Sequence, residues 1–600
     1  MKSLRRSRAR HLVVPLIAAM IAASCGGGDG ESVAEQDPAT EETGTAESTG
    51  GEVSSATEQS EEPTPEESSS VGPVVETLPP ETLPPESEPV QGGTLRVGIL
   101  AEAGGLNPAI SSFSAVGYMM ANAVFDNLAV YAADGAVVPY LAESFTPSAD
   151  FSSWQIKVRE GITFHDGEPL NADALMANVV AQQTGPLVGI AIKVFLPTEG
   201  AVEKIDDMTI QVNLLQPSAY FPSILTNQLG MVASPKWLAA AAADPTLNQE
   251  PVGTGPFIFD SRTEDSVTRF VRNDSWWGGE VLLDAVELYP VEDGASRADL
   301  FFGGELDVIQ TTDQADILDL RDDETVQHLF DDSGEESFAM LNTASPPFDD
   351  IRARQALTFA TPVQNYVDLI GLGVARAANS RFIPESPFSN PDVVQEGDDP
   401  EKAVALATEY CAEKGNEVNT VTGQPTCSDG KINIEFQYSG PSVVQDRIAE
   451  LLNEGWSEAF NVTFDVLLED EHINQTAFGQ YNVNTWRQFG AEDPYYDNLW
   501  LGCSSIGGIS LNWPRLCDEA RDAALLAAQL EPDPKERAAL YQQAEQLIHD
   551  AYTYIFFIHS TWEIGLQENV HGACSKVTPE GVQMKCAVIG RIWFDSIWLD

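Results

Sequence analysis

Short runs in which every second residue is apolar recur along the chain and predict β-strands. The runs are Leu95, Val97 and Ile99; Trp154, Ile156 and Val158; Ile210, Val212 and Leu214; and Ile432, Ile434, Phe436 and Tyr438. Because successive side chains of a strand point to opposite faces, each run predicts a strand with one buried face.

Between these runs, three helices have recognisable beginnings. Their capping residues are Asn171 before Ala172–Val180, Asp399 before Pro400, and Asp533 before Pro534 and Glu536. A short polar side chain at this position accepts a hydrogen bond from a free backbone N–H, and proline suits the first helical residue. The third helix then carries one apolar stripe formed by Leu540, Ala544, Leu547 and Ile548. Strands and helices mixed over this length predict an α/β body in several lobes.

Residues 1–24 have the pattern of an export signal. Basic residues cluster before residue 11, and the apolar stretch from Leu12 to Ala23 is too short to span a bilayer. Cys25 directly follows Ala22-Ala23-Ser24, so the segment resembles a bacterial lipoprotein signal, in which the chain is cut before the cysteine and its thiol is acylated. The alternative is an ordinary cleaved signal followed by a cysteine without a special role.

Residues 25–91, which begin with the expected lipidated cysteine, have the composition of a disordered tether. From Gly26 to Gln91 the chain is rich in Glu, Ser, Thr, Pro and Gly and has no Lys or Arg. Such a segment buries too little apolar surface to offset the entropy lost on ordering. We expect it to hold a folded body away from a membrane or within a cell wall.

Length and charge limit what the folded part can be. The roughly 500 residues after Gly92 exceed what one hydrophobic core supports, so they predict at least two domains. The chain has 92 acidic and 32 basic residues, for a formal net charge of −60. Because this charge repels phosphate backbones, we expect no nucleic-acid partner.

Six cysteines follow Cys25 and form three close pairs along the sequence: Cys411 with Cys427, Cys503 with Cys517, and Cys574 with Cys586. In an exported protein this spacing favours three local disulfides. Free thiols and a metal site are the alternatives. Zinc favours closer Cys-x-x-Cys or Cys/His spacing, which the chain does not have, so no metal or cofactor is expected.

A series of short passages carries a family resemblance. They are 124–128 (VFDNL), 141–145 (LAESF), 158–172 (VREGITFHDGEPLNA), 253–257 (GTGPF), 272–277 (RNDSWW), 341–343 (LNT), 347–349 (PFD), 352–357 (RARQAL), Trp486 with Asp493-Pro494, and Asn512-Trp513 with Asp518. In their order and spacing they resemble family 5 of the bacterial extracellular solute-binding proteins, the dipeptide, oligopeptide and nickel receptors of ABC importers. The resemblance runs from about Gly92 almost to the C-terminus.

The resemblance implies an α/β fold of the two-lobed periplasmic-binding-protein type, in its type II large form with an extra subdomain and hinge-connected lobes. By analogy, lobe I comprises 92–128, 250–342 and 556–600, the extra subdomain is 129–249, and lobe II is 343–555. Two hinge strands are expected near 338–343 and 555–565. Few crossings between lobes permit rigid-body closure around a ligand.

The same resemblance makes Trp486–Pro494 the expected wall of the ligand cleft. In the peptide receptors this loop carries an Asp four residues before the proline, and that Asp pairs with the ammonium group of the peptide. This chain has Gly490 there and one additional residue after Trp486, so Glu492 or Asp493 would have to substitute. The residues expected to contact ligand are Phe113, Tyr118, Trp486, Arg487, Phe489, Glu492, Asp493 and Tyr495.

The expected function is therefore that of an exported, lipid-anchored substrate-binding subunit of an ABC importer, held at the outer face of the cytoplasmic membrane. Its expected partners are a peptide or small-molecule ligand, the permease complex and the membrane, and we expect a monomer. Oligopeptide is the first ligand to consider, and a sugar or other small molecule is the alternative. His165-Asp166 is expected to be structural, and no catalytic residue is predicted. The alternative from another class is a secreted hydrolase that uses paired carboxylates.

Overall fold

The computed structural model describes residues 88–600 except 112, 186–187, 334, 441 and 489–491. The predicted signal peptide 1–24, the predicted lipidation residue Cys25 and the tether as far as residue 87 lie outside the described residues. Within the part of the chain that is described, no helix combines the length and the apolar character needed to cross a membrane.

The described β-strands form three larger sheets and two short ribbons. In chain order they are β1 Thr94–Ile99, β2 Ala129–Tyr131, β3 Val137–Pro139, β4 Ala142–Pro147, β5 Ser153–Val158, β6 Val202–Lys204, β7 Thr209–Asn213, β8 Phe257–Thr263, β9 Val267–Arg272, β10 Ala285–Pro290, β11 Val308–Thr311, β12 Gln327–Asp331, β13 Glu336–Leu341, β14 Arg376–Ala377, β15 Cys427–Ser428, β16 Lys431–Ser439, β17 Phe460–Leu467, β18 Val483–Gln488, β19 Tyr554–His559, β20 Trp562–Leu566, β21 Val570–His571 and β22 Trp598–Leu599.

The described helices cover the sheets and fill the connections between strands. They are α1 Ala115–Val124, α2 Ala172–Thr184, α3 Val188–Phe195, α4 Pro235–Ala243, α5 Gly294–Phe302, α6 Gln314–Asp322, α7 Ile351–Ala360, α8 Val363–Leu369, α9 Pro400–Lys414, α10 Val443–Trp456, α11 Glu469–Phe478, α12 Asn498–Leu501, α13 Glu519–Leu530 and α14 Pro534–Ala551. Short 3-10 helices lie at Phe221–Thr226, Gln228–Gly230, Pro245–Gln249 and Cys503–Ser505.

The three larger sheets define the parts of the molecule. The first lobe is built on the sheet β12-β20-β11-β1-β10-β9-β8, and the second lobe on β14-β19-β13-β18-β16-β15 with β17 beside β16. The subdomain is built on the antiparallel sheet β4-β5-β7-β6. The expected two-lobed α/β fold with an additional subdomain is confirmed.

The sequence-predicted elements near these sheets are confirmed as well. Three alternating runs lie in β1, β5 and β16. Ile210 and Val212 of the fourth run lie in β7, and Leu214 is one residue beyond the end of that strand. The predicted caps also form: Asn171 accepts a hydrogen bond from the Ala174 N–H, and Asp533 accepts two at the start of α14. The local signals were therefore sufficient for these elements.

Strand β13 shows how the second lobe is filled. All six of its residues are buried. Phe338 and Met340 belong to the hydrophobic cluster on one face of the sheet, whereas Ala339 and Leu341 belong to the cluster on the other face. A central strand covered on both faces carries apolar residues continuously and lacks the alternation of a half-exposed strand.

Within the described residues, the chain passes between the first and second sheets at 332–335 and again at 560–561. The crossings lie side by side, because the Ser560 N–H donates to the Glu335 carbonyl at 2.8 Å. The sequence-based division gave 336–342 and 556–559 to lobe I, but β13 and β19 pair within the second sheet. Each strand continues through a short link into the other lobe, so the sequence pattern does not mark the change. We propose lobe boundaries at the two crossings.

Two features noted in the sequence, the cysteine pairs and the passages around Gly253 and His165, make contacts that hold the fold together. The three disulfides pair Cys411 with Cys427, Cys503 with Cys517, and Cys574 with Cys586, as predicted from proximity. Gly253 and Gly255 pack so closely on Val124 that a Cβ on either would collide with its backbone. His165 Nε2 lies 3.0 Å from the Gly255 carbonyl, so these residues join the subdomain to the first lobe.

Candidate functional site

Residues 492–497, here called the contact loop, follow β18 and bring the second lobe against the rest of the molecule. Glu492 at its start forms an ion pair with Lys585 of the first lobe. The Ser333 hydroxyl at a hinge crossing donates to the same carboxylate at 3.1 Å. Lys585 also lies 3.8 Å from Asp331. The loop is thus held to the first lobe directly beside the hinge.

The next residue of the contact loop makes a second set of connections. Asp493 accepts two hydrogen bonds from Arg537 of α14, at 2.7 and 2.8 Å, and both residues are buried. The Arg537 guanidinium lies over the ring of Tyr220 in the subdomain, 3.4 Å from its centroid. The Tyr131 hydroxyl bonds to the main chain of Asp493. Asp493 therefore orients an arginine that links the second lobe to the subdomain.

Aromatic rings fill the contact beyond this ion pair. Phe195 of the subdomain lies 5.5 Å from Tyr495 and 6.0 Å from Tyr496, measured between ring centroids. Burial, together with the nearby Tyr118 phenol, raises the pKa of Tyr496. The Tyr118 of the first lobe thus faces the contact loop across the boundary between lobes.

Arg591 lies behind these tyrosines on the first lobe. Its guanidinium is 4.6 Å from the ring centroid of Tyr118, and Nη2 donates to Asn227 Oδ1 at 3.0 Å. Burial lowers the pKa of Arg591, and the neighbouring Tyr118, Tyr131 and Asp331 offset part of that effect. The guanidinium therefore packs on the Tyr118 ring and donates to the side-chain amide of Asn227.

Buried carboxylates line the first hinge crossing, and each has a basic partner. Glu335 lies 3.0 Å from Arg487, and Glu336 lies 3.1 Å from His559 Nδ1. Burial raises the pKa of Glu336 well above its ordinary value and lowers that of His559 to about 3. Burial thus disfavours the charged form of both groups in this pair.

A buried ionic cluster, formed by Arg381, Asp497 and Glu545, supports the end of the contact loop. Arg381 donates to Glu545 at 2.6 Å and to Asp497 at 3.0 Å, and all three side chains are almost fully enclosed. Burial raises the pKa of Asp497 to about 7, against the opposing effect of Arg381. The contact loop therefore ends on a fixed charged support inside the second lobe.

The structure brings together five of the residues expected to contact ligand: Tyr118, Arg487, Glu492, Asp493 and Tyr495 lie at the contact loop or the hinge. Of these, Tyr495 is itself part of the hydrophobic cluster of the subdomain, and two other residues lie in the cores of the lobes.

Phe113 belongs to the core of the first lobe, and Trp486 packs on Trp513 at 4.7 Å and His472 at 5.1 Å in the second lobe. Phe489 lies outside the described residues. As a set of ligand contacts, the eight remain a prediction.

Sequence reasoning missed the basic partners Arg537, Lys585 and Arg591. A signal was present, because the chain has only 32 basic residues and Arg591 lies in the apolar run Ile589-Gly590-Arg591-Ile592-Trp593. A charged residue in an apolar context is seldom buried without a partner or a role. Among the described residues, no three His, Cys, Asp or Glu side chains are placed to hold a metal ion.

Comparison with known proteins gives one family. The family model described as bacterial extracellular solute-binding proteins, family 5 Middle, matches residues 136–507. The di/tripeptide-binding protein 2 of Pseudomonas aeruginosa is 26% identical over 505 residues, which cover 80% of this chain and 92% of that protein.

Solved structures have the same fold at low sequence identity. The periplasmic binding protein DppA of Helicobacter pylori, in complex with the peptide STSA, superimposes with a TM-score of 0.70 at 19% identity and covers 85% of this chain and 98% of its own. AgaA of A. tumefacien R10, in complex with agropinic acid, has a TM-score of 0.69 at 20% identity and covers 85% and 99%. The fold thus accommodates both a peptide and a non-peptide ligand.

Proposed function

The chain belongs to family 5 of the bacterial extracellular solute-binding proteins, and we propose that it captures a small solute between its lobes and delivers it to the permease of an ABC importer. Proteins of this family bind peptides or other small ligands, work with ABC permeases and are not enzymes. The observation that carries the proposal is the pair of adjacent crossings at 332–335 and 560–561 beneath a loop that joins the lobes. We do not propose the alternative of a secreted hydrolase, because the proteins of this family are not enzymes.

The two crossings provide the mechanics of capture. Because they are adjacent and hydrogen-bonded through Ser560 and Glu335, they can act as one hinge about which the lobes turn as rigid bodies. A solute that contacts both lobes favours the closed arrangement over the open one. The permease would then respond to closure, whatever the chemistry of the solute.

The ion pair between Lys585 and Glu492 should bias this equilibrium. Both side chains are about one fifth exposed, so the pair contributes about 0.5–1 kcal/mol to the closed arrangement. We expect Lys585→Met to raise the ratio of open to closed protein roughly two- to fivefold. Small-angle X-ray scattering of the solute-free protein should show a larger radius of gyration. Lys157→Met, which removes the Lys157–Glu143 pair within the subdomain, should leave it unchanged.

Oligopeptide is the first ligand class that we propose, because the relatives compared above include a di/tripeptide-binding protein. One observation favours the non-peptide alternative. Glu492 and Asp493, the candidate partners for a peptide ammonium group, are already paired with Lys585 and Arg537. A buried ammonium group needs a charged partner of its own. The structure in complex with agropinic acid supports the same alternative.

Native mass spectrometry of the protein purified without refolding tests the function and separates the two ligand classes. A co-purified family of peptides would support an oligopeptide receptor. A single non-peptide solute would keep the importer function and assign the alternative ligand class. Turnover of that solute by the purified protein would contradict the proposal, since a receptor releases its ligand unchanged.

We also propose that Cys25 carries a lipid that anchors the protein to the outer face of the cytoplasmic membrane. The proposal is supported by the basic start, short apolar stretch and small residues before Cys25. Cys25→Ser is expected to move most of the protein from the membrane fraction to the soluble fraction, with ligand binding unchanged. Incorporation of labelled palmitate into the natural chain but not into the variant provides the direct measurement.

A further inference from the structure

Arg591 is a buried cation at the boundary between the lobes, and its partners are incomplete. The residue is 5% exposed, and within the described residues no carboxylate lies within 4.0 Å of its guanidinium. Nη2 donates to Asn227 Oδ1 at 3.0 Å and to the Thr226 carbonyl at 3.5 Å. Nη1 is enclosed, and no described group accepts a hydrogen bond from it. A buried guanidinium in this state is poorly satisfied by the protein alone.

The neighbouring carboxylates are committed elsewhere. Glu492 pairs with Lys585, and Asp493 pairs with Arg537. Asp331 accepts the Ile589 N–H at 2.7 Å and lies near Lys585. At this boundary the charge that lacks a partner is therefore positive.

Other buried arginines show what a structural role looks like in this chain. Arg354 donates to the carbonyls of Ala551 and Phe348 at 2.8 Å. Arg521 donates from Nη2 to the carbonyls of Leu501 and Leu516 at 2.9 and 2.7 Å, although no described group accepts from its Nε. Each of them closes the ends of elements within the second lobe. Arg591 instead lies beside Tyr118 and Tyr131, which face the contact loop of the opposite lobe.

The backbone that carries Arg591 is firmly held. Gly590 has a φ of +66°, and a Cβ there would collide with the Trp562 ring. The Gly590 carbonyl accepts from Gln310 at 2.5 Å, and the Ile592 carbonyl accepts from Asn122 at 3.1 Å. The guanidinium is thus positioned before any solute arrives, as a recognition site requires.

We propose that Arg591 anchors a carboxylate group of the solute that the protein binds between its lobes, an inference that rests on the proposed function. Guanidinium groups present their N–H donors in a planar fork that matches a carboxylate. Since Glu492 and Asp493 already have partners, the solute needs no free ammonium group. This inference therefore selects the non-peptide alternative of the proposed function over an oligopeptide. The ligand class is a small organic acid, with the Tyr118 ring, which lies 4.6 Å from the guanidinium, beside its carbon skeleton.

Matched acid and neutral probes test this assignment. We would measure binding of Met-Leu, its C-terminal amide and its N-acetyl form, of gluconate and glucose, and of the solute identified by native mass spectrometry. The full chain would be compared with Arg591→Gln, Arg591→Lys and the exposed control Arg447→Gln, all checked by circular dichroism. We expect acids to bind in preference to their neutral counterparts, N-acetylation to be tolerated, and Arg591→Gln to weaken binding by roughly 10- to 100-fold. Arg447→Gln should bind as the natural chain does.

Every outcome of these measurements either supports or overturns the assignment of Arg591 as a carboxylate anchor. Equal binding of acid and amide, or unchanged affinity in Arg591→Gln, would overturn the arginine assignment while the importer function stands. A co-purified solute without an acid group would do the same. A natural chain that neither carries nor binds any solute would overturn the proposed function and this inference with it. If Arg591→Gln does not fold, the comparison of acid and neutral probes on the natural chain decides alone.

Discussion

Replacing Arg381 by methionine is expected to lower the free energy of unfolding by about 3–5 kcal/mol at pH 8. Arg381 is fully buried and donates to Glu545 and Asp497, whose side chains are 1% and 3% exposed. The variant leaves two carboxylates enclosed without their guanidinium. The cost of a buried, uncompensated charge greatly exceeds the net value of the pair itself.

The loss should be smaller at pH 5. Burial already raises the pKa of Asp497 to about 7, and removal of Arg381 will raise it further. A carboxyl group with a raised folded pKa binds more protons in the folded state, so its contribution to stability falls as pH rises above its unfolded pKa, until the folded pKa is passed. At pH 5 the variant can protonate the carboxyls and avoid buried charge.

Urea unfolding at pH 5 and pH 8, followed by tryptophan fluorescence, measures this difference. Arg447→Met removes an exposed arginine and serves as the control, with little change expected at either pH. Adding Asp497→Asn to the Arg381 variant should recover part of the loss at pH 8. An equal loss at both pH values would show that lost packing, rather than buried charge, explains the effect.

Helix α14, which contributes Glu545 to this cluster, shows which features could be predicted from the sequence and which could not. The beginning of α14 was predictable because a cap acts within one turn, and Asp533 contacts the backbone two and three residues ahead. The buried face of the helix was predicted only in part. Ala544 and Ile548 are buried as expected, but Arg537 and Glu545 are buried with them. Their partners lie far away in the chain, and periodicity carries no information about such pairs.

At the candidate site, too, local features could be predicted from the sequence, whereas contacts between distant residues could not. The stretch from Trp486 to Tyr495 could be located from the order of family-like passages, and the contact loop does lie between the lobes. Its charge pattern could not be read from the sequence, since Glu492 pairs with a lysine 93 residues later. Trp486 was expected in the wall of the ligand cleft, yet it lies within the central strand β18 and packs inward. Arg591 belongs to the last turns of the chain, where the family-like passages supply no motif.

The pair of Asp493 and Arg537 should be as important for stability as the Arg381 cluster. Both side chains are at least nine-tenths buried and share two short hydrogen bonds. We expect Asp493→Asn and Arg537→Met each to lower the free energy of unfolding by about 3–5 kcal/mol. The double variant should lose less than the sum, with an interaction energy of about 2–3 kcal/mol from a double-mutant cycle. Strict additivity would mean that the two groups do not stabilise one another.

The same two variants also determine whether Asp493 has a second role as a peptide anchor. If Asp493 serves only to orient Arg537 over Tyr220, both substitutions loosen the contact between lobes, and both should weaken solute binding by a similar factor. If Asp493 also held a peptide ammonium group, Asp493→Asn alone would abolish the preference for Met-Leu over N-acetyl-Met-Leu. We expect the first result, because Arg537 already occupies both oxygens of the carboxylate. A preference for the free ammonium form that disappears only in Asp493→Asn would contradict it, and would favour the oligopeptide reading over an organic acid held by Arg591.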